Sequence, residues 1–216
     1  MRNLLATIGM AFAFAGGLAL GAVPDDPSKV SPVAVGAMAP AFTAREVSGS
    51  AFHFDPKALQ APVLMIFYRG GWCPYCNTHL RDLRLVEPKI KALGYHVLFL
   101  STDRPELLYS SLKEKVNYHI LSDSAMQAAR AFGVAYRVDE PTLKKMTSYG
   151  IDLEATQGTQ NHELPVPSVF IVDRTGVVRF RHYNPDFKVR LDAASVLVAA
   201  QNALRREPPV GSPSAK

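Results

Sequence analysis

Cys73 and Cys76 are the only two cysteines of the 216-residue chain, and they stand three positions apart. A disulfide closing so short a loop constrains little of the unfolded chain, because that stabilisation grows with loop length. Reversible chemistry explains the pair better than a structural staple. Pro74 fits the first turn of a helix, where its missing N–H costs nothing. Cys73 would then stand at the helix start, where free N–H groups and the helix dipole favour the thiolate, the reactive form. Cys76 reaches it across one turn, so a bond between the sulfurs opens and closes with little backbone movement. A zinc site would need two further Cys or His ligands, and the six histidines show no paired ligand spacing. The pattern therefore assigns no metal, and no cofactor beyond the redox-active Cys73–Cys76 pair.

The elements that must hold this pair are readable around it. Val63–Tyr68 is an unbroken apolar run between Pro62 and Gly70, as expected of a strand buried on both faces. Cys76, Leu80, Leu83, Ile90 and Leu93 then recur at helical spacing up to Gly94, predicting one helix that Pro88 kinks. Further on, 97–100 reads as a strand, 105–116 as a helix, 119–121 as a strand and 125–132 as a short helix stopped by Gly133. This alternation implies parallel strands covered by helices. Residues 134–165 are polar with no clear period beyond a helical turn around 141–149, and read as an insertion over one end of the sheet. Strands at 168–172 and 177–180 flank the turn Asp173-Arg174-Thr175-Gly176. A last helix begins at Asp192, with Leu191 stapled on Val196 and Leu197, Val198 and Leu204 on its buried face. Near the start, 42–54 reads as a short hairpin around Ser48-Gly49-Ser50.

Composition sets the frame. The chain is 48% hydrophobic and 20% charged, as a globular protein is, and its formal charge of +5 is spread rather than clustered, which argues against nucleic acid as a partner. Arg2 is followed by no charge until Asp25, with an apolar run closed by Ala19, Gly21 and Ala22. Residues 1–22 read as a secretory signal peptide, so the protein is expected to be exported, to the periplasm. If the segment is uncleaved, it serves as a membrane anchor. Residues 23–40 form an extended lead-in, 41–205 a single domain, and 206–216, rich in proline, a disordered tail. In an oxidising compartment the dithiol stays reduced only if a donor feeds it.

The run Phe67-Tyr68-Arg69-Gly70-Gly71-Trp72-Cys73-Pro74-Tyr75-Cys76-Asn77 and the lead-in Gly36-Ala37-Met38-Ala39-Pro40-Ala41-Phe42 resemble the peroxiredoxin-like branch of the AhpC/TSA family. The resemblance extends through Leu121-Ser122-Asp123, Phe132-Gly133-Val134, Val166-Pro167-Ser168 and Phe170-Ile171-Val172-Asp173. It implies an α/β, thioredoxin-like fold: a central mixed β-sheet flanked by helices, with an N-terminal extension and an insertion before a cis-proline strand. In that family's peroxidases a proline and a threonine stand seven and three places before the peroxidatic cysteine. Counting back from Cys76 gives Arg69 and Cys73 there. Compared with thioredoxins, Trp72-Cys73-x-x-Cys76 is the active-site pattern, with Cys73 attacking and Cys76 resolving. Where thioredoxins keep a buried aspartate, this chain has Phe67, which leaves Asp123, Glu163 and His162 as candidate bases. Val166-Pro167 is similar to the cis-proline loop that pairs with substrate, a role implied by the resemblance alone.

Trp72, Pro74, Tyr75, Arg69, Val166 and Pro167 thus form the candidate substrate-contacting set around the catalytic Cys73 and Cys76. Trp72 either shields the dithiol or is simply core, and Arg69 either favours the thiolate or pairs with an acid such as Asp123. The expected function is an oxidoreductase that reduces peroxides or exchanges protein disulfides, fed by a thiol protein or a small thiol. The alternative is a metallochaperone holding Cu(I) on the two sulfurs and His162.

Overall fold

The computed structural model describes residues 22–109 and 119–206. The signal-peptide reading of 1–22, apart from Ala22 itself, the helix expected beyond residue 109 and nearly all of the expected tail therefore lie outside the described residues. Among the described residues, no helix is long and apolar enough to cross a membrane.

In chain order the elements are β1 (Phe42–Arg45), β2 (Ala51–Phe54), β3 (Val63–Tyr68), α1 (Pro74–Leu83), α2 (Glu87–Ala92), β4 (His96–Ser101), β5 (His119–Ser122) and α3 (Gln127–Ala131). They continue with β6 (Ala135–Arg137), α4 (Glu140–Ser148), α5 (Leu153–Gln157), β7 (Glu163–Pro165), β8 (Ser168–Val172), β9 (Val178–Tyr183) and α6 (Ala193–Arg205). Seven strands form one sheet in the order β2-β1-β5-β4-β3-β8-β9. Only its centre, β5-β4-β3, is parallel; β8, β9, β1 and β2 run antiparallel to their neighbours, so the sheet is mixed. This is the thioredoxin-like arrangement, an α/β sheet with helices on both faces.

All six residues of β3 are buried, and they alternate between the two faces. Leu64, Ile66 and Tyr68 enter one core together with both cysteines, Leu80, Leu83 and Ile90 of the helices, and Val196, Ala199, Ala200 and Ala203 of α6. Val63, Met65 and Phe67 enter the other with Phe42, Phe54, Phe132 and Phe170. The period-2 strand between helix-period partners thus places the dithiol inside a core.

Four local expectations change. The helix opened by the dithiol is divided in two rather than kinked, because Pro88 offers no N–H to a continuing ladder but suits the first turn of α2. The helix expected to open near residue 105 begins as a 3-10 turn, Pro105–Leu107, within the described residues. In α6, capped by Asp192 as expected, the buried face is Val196, Ala199, Ala200 and Ala203, while Val198 is 52% exposed. Small alanines let the helix approach the sheet, so the larger Leu197 and Leu204 lie at its flank. The polar stretch 134–165 carries real structure: β6 and β7 pair as a separate ribbon, and Val138, Met146, Leu153 and Leu164 build a small core that also holds Trp72.

The lead-in is strapped to the sheet edge. Gly36 N–H donates to Val178 O, Val178 N–H to Ala37 O and Ala39 N–H to Gly176 O, while Arg181 Nη1 donates to the Pro32 and Val33 carbonyls. These bonds cover the outer edge of β9 at its first residue, Val178, which would otherwise offer unpaired backbone groups.

Candidate active site

The loop between β3 and α1 is tied down before it delivers Cys73. Gly71 N–H donates to the buried Asp103 Oδ2 at 2.7 Å, and Ser101 Oγ donates to the same oxygen at 3.0 Å. Thr102 Oγ1 donates to Arg69 O at 2.6 Å, and Asn77 Nδ2 reaches back to Gly71 O at 2.7 Å. The C-terminal end of β4 thereby fixes the turn from both sides. Gly70 takes φ +139, a conformation that L side chains rarely adopt.

Cys73 is the N-cap of α1, with extended φ −89 and ψ 112, and Pro74 stands in the first turn as the sequence predicts. Its carbonyl accepts from the N–H groups of Cys76 and Asn77, both at 3.1 Å. Both thiols are free and only 1% exposed.

The two sulfurs are electrostatically unequal. The Cys76 thiol donates toward Cys73 and holds it down, against the opposing effect of burial, at about 6; the Cys76 backbone N–H and the charges of Arg69 and Arg190 add to the same direction. Cys76 is pushed well above the ordinary thiol range, first by burial and then by the adjacent Cys73 sulfur. At neutral pH, above its midpoint, Cys73 is therefore mostly thiolate and Cys76 a thiol.

A cation and aromatic rings roof the pair. The Arg69 guanidinium, 5% exposed, lies 4.2 Å from the Phe187 ring centroid and 5.1 Å from that of Trp72. Tyr75 meets Phe187 edge-on at 5.7 Å. Tyr136, brought by β6, is close enough to Arg69 and Cys73 for their charges to act on its phenol. Such ring contacts offset part of the cost of burying a charge. Beside this roof an open groove of about 670 Å³ is lined by Pro74, Tyr75, His79, Lys188 and Arg190 among others.

The structure brings Arg69, Trp72, Pro74 and Tyr75 to the dithiol and resolves two open alternatives. Arg69 faces aromatic rings and the Cys73 charge, not Asp123. Trp72 packs both against the core that holds the dithiol and against the small core of the insertion.

Other expectations are corrected. Among the described residues no peptide bond is cis, so Val166–Pro167 is trans, the isomer that an X–Pro bond favours unless its surroundings demand otherwise. Both residues are buried; Val166 N–H donates to Val134 O and Val166 O accepts from Ser168 Oγ, so they offer no free edge to a substrate strand. Asp123 caps α3 through the N–H groups of Ala128 and Ala129, Glu163 pairs with Arg130, and His162 pairs with Glu154 at 2.6 Å. None of the three candidate bases serves the cysteines. Among the described residues no three His, Cys, Asp or Glu side chains converge as metal ligands, so His162 does not complete a copper site with the sulfurs.

Sequence reasoning missed Arg190, whose Nη2 donates to Cys76 Sγ at 3.3 Å, and also Phe187 and Tyr136. Arg190 and Phe187 lie in the irregular 184–192 segment between β9 and α6, more than a hundred residues from the motif, where no periodicity or spacing marks them.

Comparison with known proteins agrees with this fold. The sequence pattern of the AhpC/TSA family matches residues 35–181. A putative peroxiredoxin, bcp, of Haemophilus influenzae is 36% identical over 109 residues, which span 49% of this chain and 68% of that protein. The thiol:disulfide interchange protein DsbE of Vibrio cholerae is 24% identical over 180 residues, 83% of this chain and 81% of the relative. Among solved structures, the peroxidoxin BcpB of Mycobacterium tuberculosis superposes with a TM-score of 0.59 at 16% identity, covering 81% of this chain and 98% of that one.

Proposed function

This chain belongs to the AhpC/TSA family and is a thiol-dependent oxidoreductase, and from that premise we propose that it reduces small peroxides by cycling Cys73 and Cys76 between dithiol and disulfide. The observation that carries the reading is two free, buried thiols at one helix start, Cys73 at the N-cap of α1 and Cys76 one turn on with Arg190 at its sulfur, an arrangement that favours the thiolate on Cys73. The Cys73 thiolate attacks the peroxide O–O bond; its sulfur becomes a sulfenic acid, and the other oxygen leaves and takes a proton as alcohol or water. Cys76 then condenses with the sulfenic acid, forming the S–S bond and releasing water. A thiol reductant small enough to reach the buried disulfide returns both electrons by exchange. Arg69, over the Cys73 charge, is placed to stabilise the negative charge that passes to the leaving oxygen. We assign this cycle to an exported protein, on the apolar N-terminal segment.

Exchange with protein disulfides is the second reading, favoured by the Cys73-x-x-Cys76 pattern and by the DsbE relative. Burial favours the first. Cys73 is 1% exposed, with Trp72 packed against its core and the Arg69 charge acting on it, and a small peroxide reaches such a sulfur more readily than the in-line approach of a protein disulfide allows. Stopped-flow mixing of the reduced protein with hydrogen peroxide, and separately with a model disulfide, tests this. Oxidation by peroxide is expected to exceed the rate for free cysteine by at least about a hundredfold, an acceleration of about 3 kcal/mol in the barrier. A peroxide rate no greater than that of free cysteine, with faster oxidation by the disulfide, overturns the peroxidase assignment in favour of exchange.

A further inference from the structure

We propose that Arg190 is a positioning residue that activates Cys76 as the resolving thiol, its guanidinium serving in place of a carboxylate base. The inference rests on the cycle proposed above and concerns its second step.

The geometry is specific. Arg190 Nη2 donates to Cys76 Sγ at 3.3 Å, and its Nε is buried without a hydrogen-bond partner among the described residues. The segment that carries it is pinned on both sides of the arginine. His79 Nε2, on α1, bonds Leu191 O at 3.0 Å, and Phe187 packs against both Arg69 and Tyr75. Burial and the neighbouring Arg190 charge drive His79 down to about 4, so at neutral pH it is an uncharged hydrogen-bonding anchor. Arg190 lies beyond residue 181, outside the part of the chain that the family pattern matches.

The chemistry requires such a group. In the reduced protein the Cys73 thiolate keeps the proton on Cys76. Once Cys73 has been oxidised to the neutral sulfenic acid, that negative neighbour is gone, and burial alone opposes ionisation of Cys76. An N–H of a fixed cation, already directed at the sulfur, favours the developing thiolate as the S–H bond breaks. The Cys76 sulfur attacks the Cys73 sulfur, the S–O bond breaks, and the departing hydroxide takes the proton released by Cys76 as water. One S–S bond forms, and no outside oxidant enters. Among the described residues, the charged and ionisable groups around Cys76 and Arg190 include Cys73, Arg69 before the motif, Tyr68 at the end of β3, His79 and Asp82 on α1, His182 on β9, and Lys188 and Asp192 in the groove that Arg190 lines; Asp123, Glu163 and His162 are engaged elsewhere.

The test uses the full chain, wild type and with Arg190→Gln and Arg190→Lys, mixed with hydrogen peroxide. Fluorescence of the only tryptophan, Trp72, follows oxidation of Cys73. Acid quench with mass analysis follows disulfide closure, and dimedone traps the sulfenic acid between. In Arg190→Gln the first phase is expected to slow less than about threefold and closure at least about tenfold, the scale of a lost charge-assisted hydrogen bond. Dimedone adduct accumulates, the pH profile of closure moves to higher pH, and Arg190→Lys recovers most of the rate. A retained first phase in Arg190→Gln also shows that the site has folded. Closure at the wild-type rate with an unmoved pH profile overturns the inference, as does Arg190→Lys no better than Arg190→Gln. A wild-type protein that shows neither phase overturns the proposed function and this inference with it, whereas both phases intact in wild type and Arg190→Gln alike remove only the role of Arg190.

Discussion

Replacing Cys73 by serine is expected to lower peroxide turnover at least about a thousandfold, a loss of about 4 kcal/mol of transition-state stabilisation. A serine hydroxyl at this position stays protonated at neutral pH, whereas the thiol it replaces is held at about 6 by the Cys76 thiol, the helix start and two arginines. Cys76→Ser should give a different defect. The first oxidation of Cys73 survives, but its sulfenic acid has no partner and proceeds to sulfinic acid under excess peroxide, so turnover stops after one cycle. Stopped-flow kinetics with mass analysis of both variants separates the roles. Comparable single-cycle oxidation in both would contradict the assignment of attack to Cys73.

Gly70→Ala is expected to damage stability and activity together. At φ +139 an alanine is strained, and its methyl would meet Trp72 Nε1 and Cδ1 and the Asp103 carboxylate, groups fixed by packing and by the Gly71 and Ser101 hydrogen bonds. Backbone strain and overpacking together cost about 3 kcal/mol, a fall in melting temperature on the order of 10 °C for a domain of this size. The Asp103–Gly71 tie positions the Cys73 turn, so the oxidation rate should fall at least about tenfold even in the folded fraction. Gly150→Ala is the control: φ is +77 there, but nothing lies within 4 Å of the added methyl, so only backbone strain acts and the active site is untouched. Thermal melts with single-turnover oxidation check both. Equal effects on activity would mean that the clash at Gly70 is without consequence for the site.

The parts of the molecule legible in the sequence are those whose signal is local. Six apolar residues between Pro62 and Gly70 could only be a strand buried on both faces, and Pro74 after Cys73 marked a helix start. Asp192, between Leu191 and Val196, marked another, and its side chain accepts from Ser195 N–H as a cap should. The insertion was harder, because its apolar positions, Val138, Met146, Leu153 and Leu164, are scattered among polar ones and meet only in three dimensions. In α6 the large residues were the wrong guide, since close approach to the sheet selected alanines. The cis-proline expectation came from resemblance rather than from Val166 and Pro167 themselves, and those residues are trans and buried. The site was half visible. Cys73, Cys76 and Arg69 share one motif, but Arg190 meets Cys76 across 114 positions, a contact made by tertiary packing alone.

The ultraviolet thiolate absorbance of the reduced protein, followed from acid to alkaline pH, tests the account most directly, because it reports ionisation without requiring access to a buried sulfur. Cys73 lies below the ordinary thiol value, so its thiolate should appear as pH rises through about 6 and persist above it. That step should vanish in Cys73→Ser, and Cys76 should contribute only well above the ordinary range. A single step for both sulfurs at the ordinary thiol value of about 8.5, unchanged by Cys73→Ser, would contradict it.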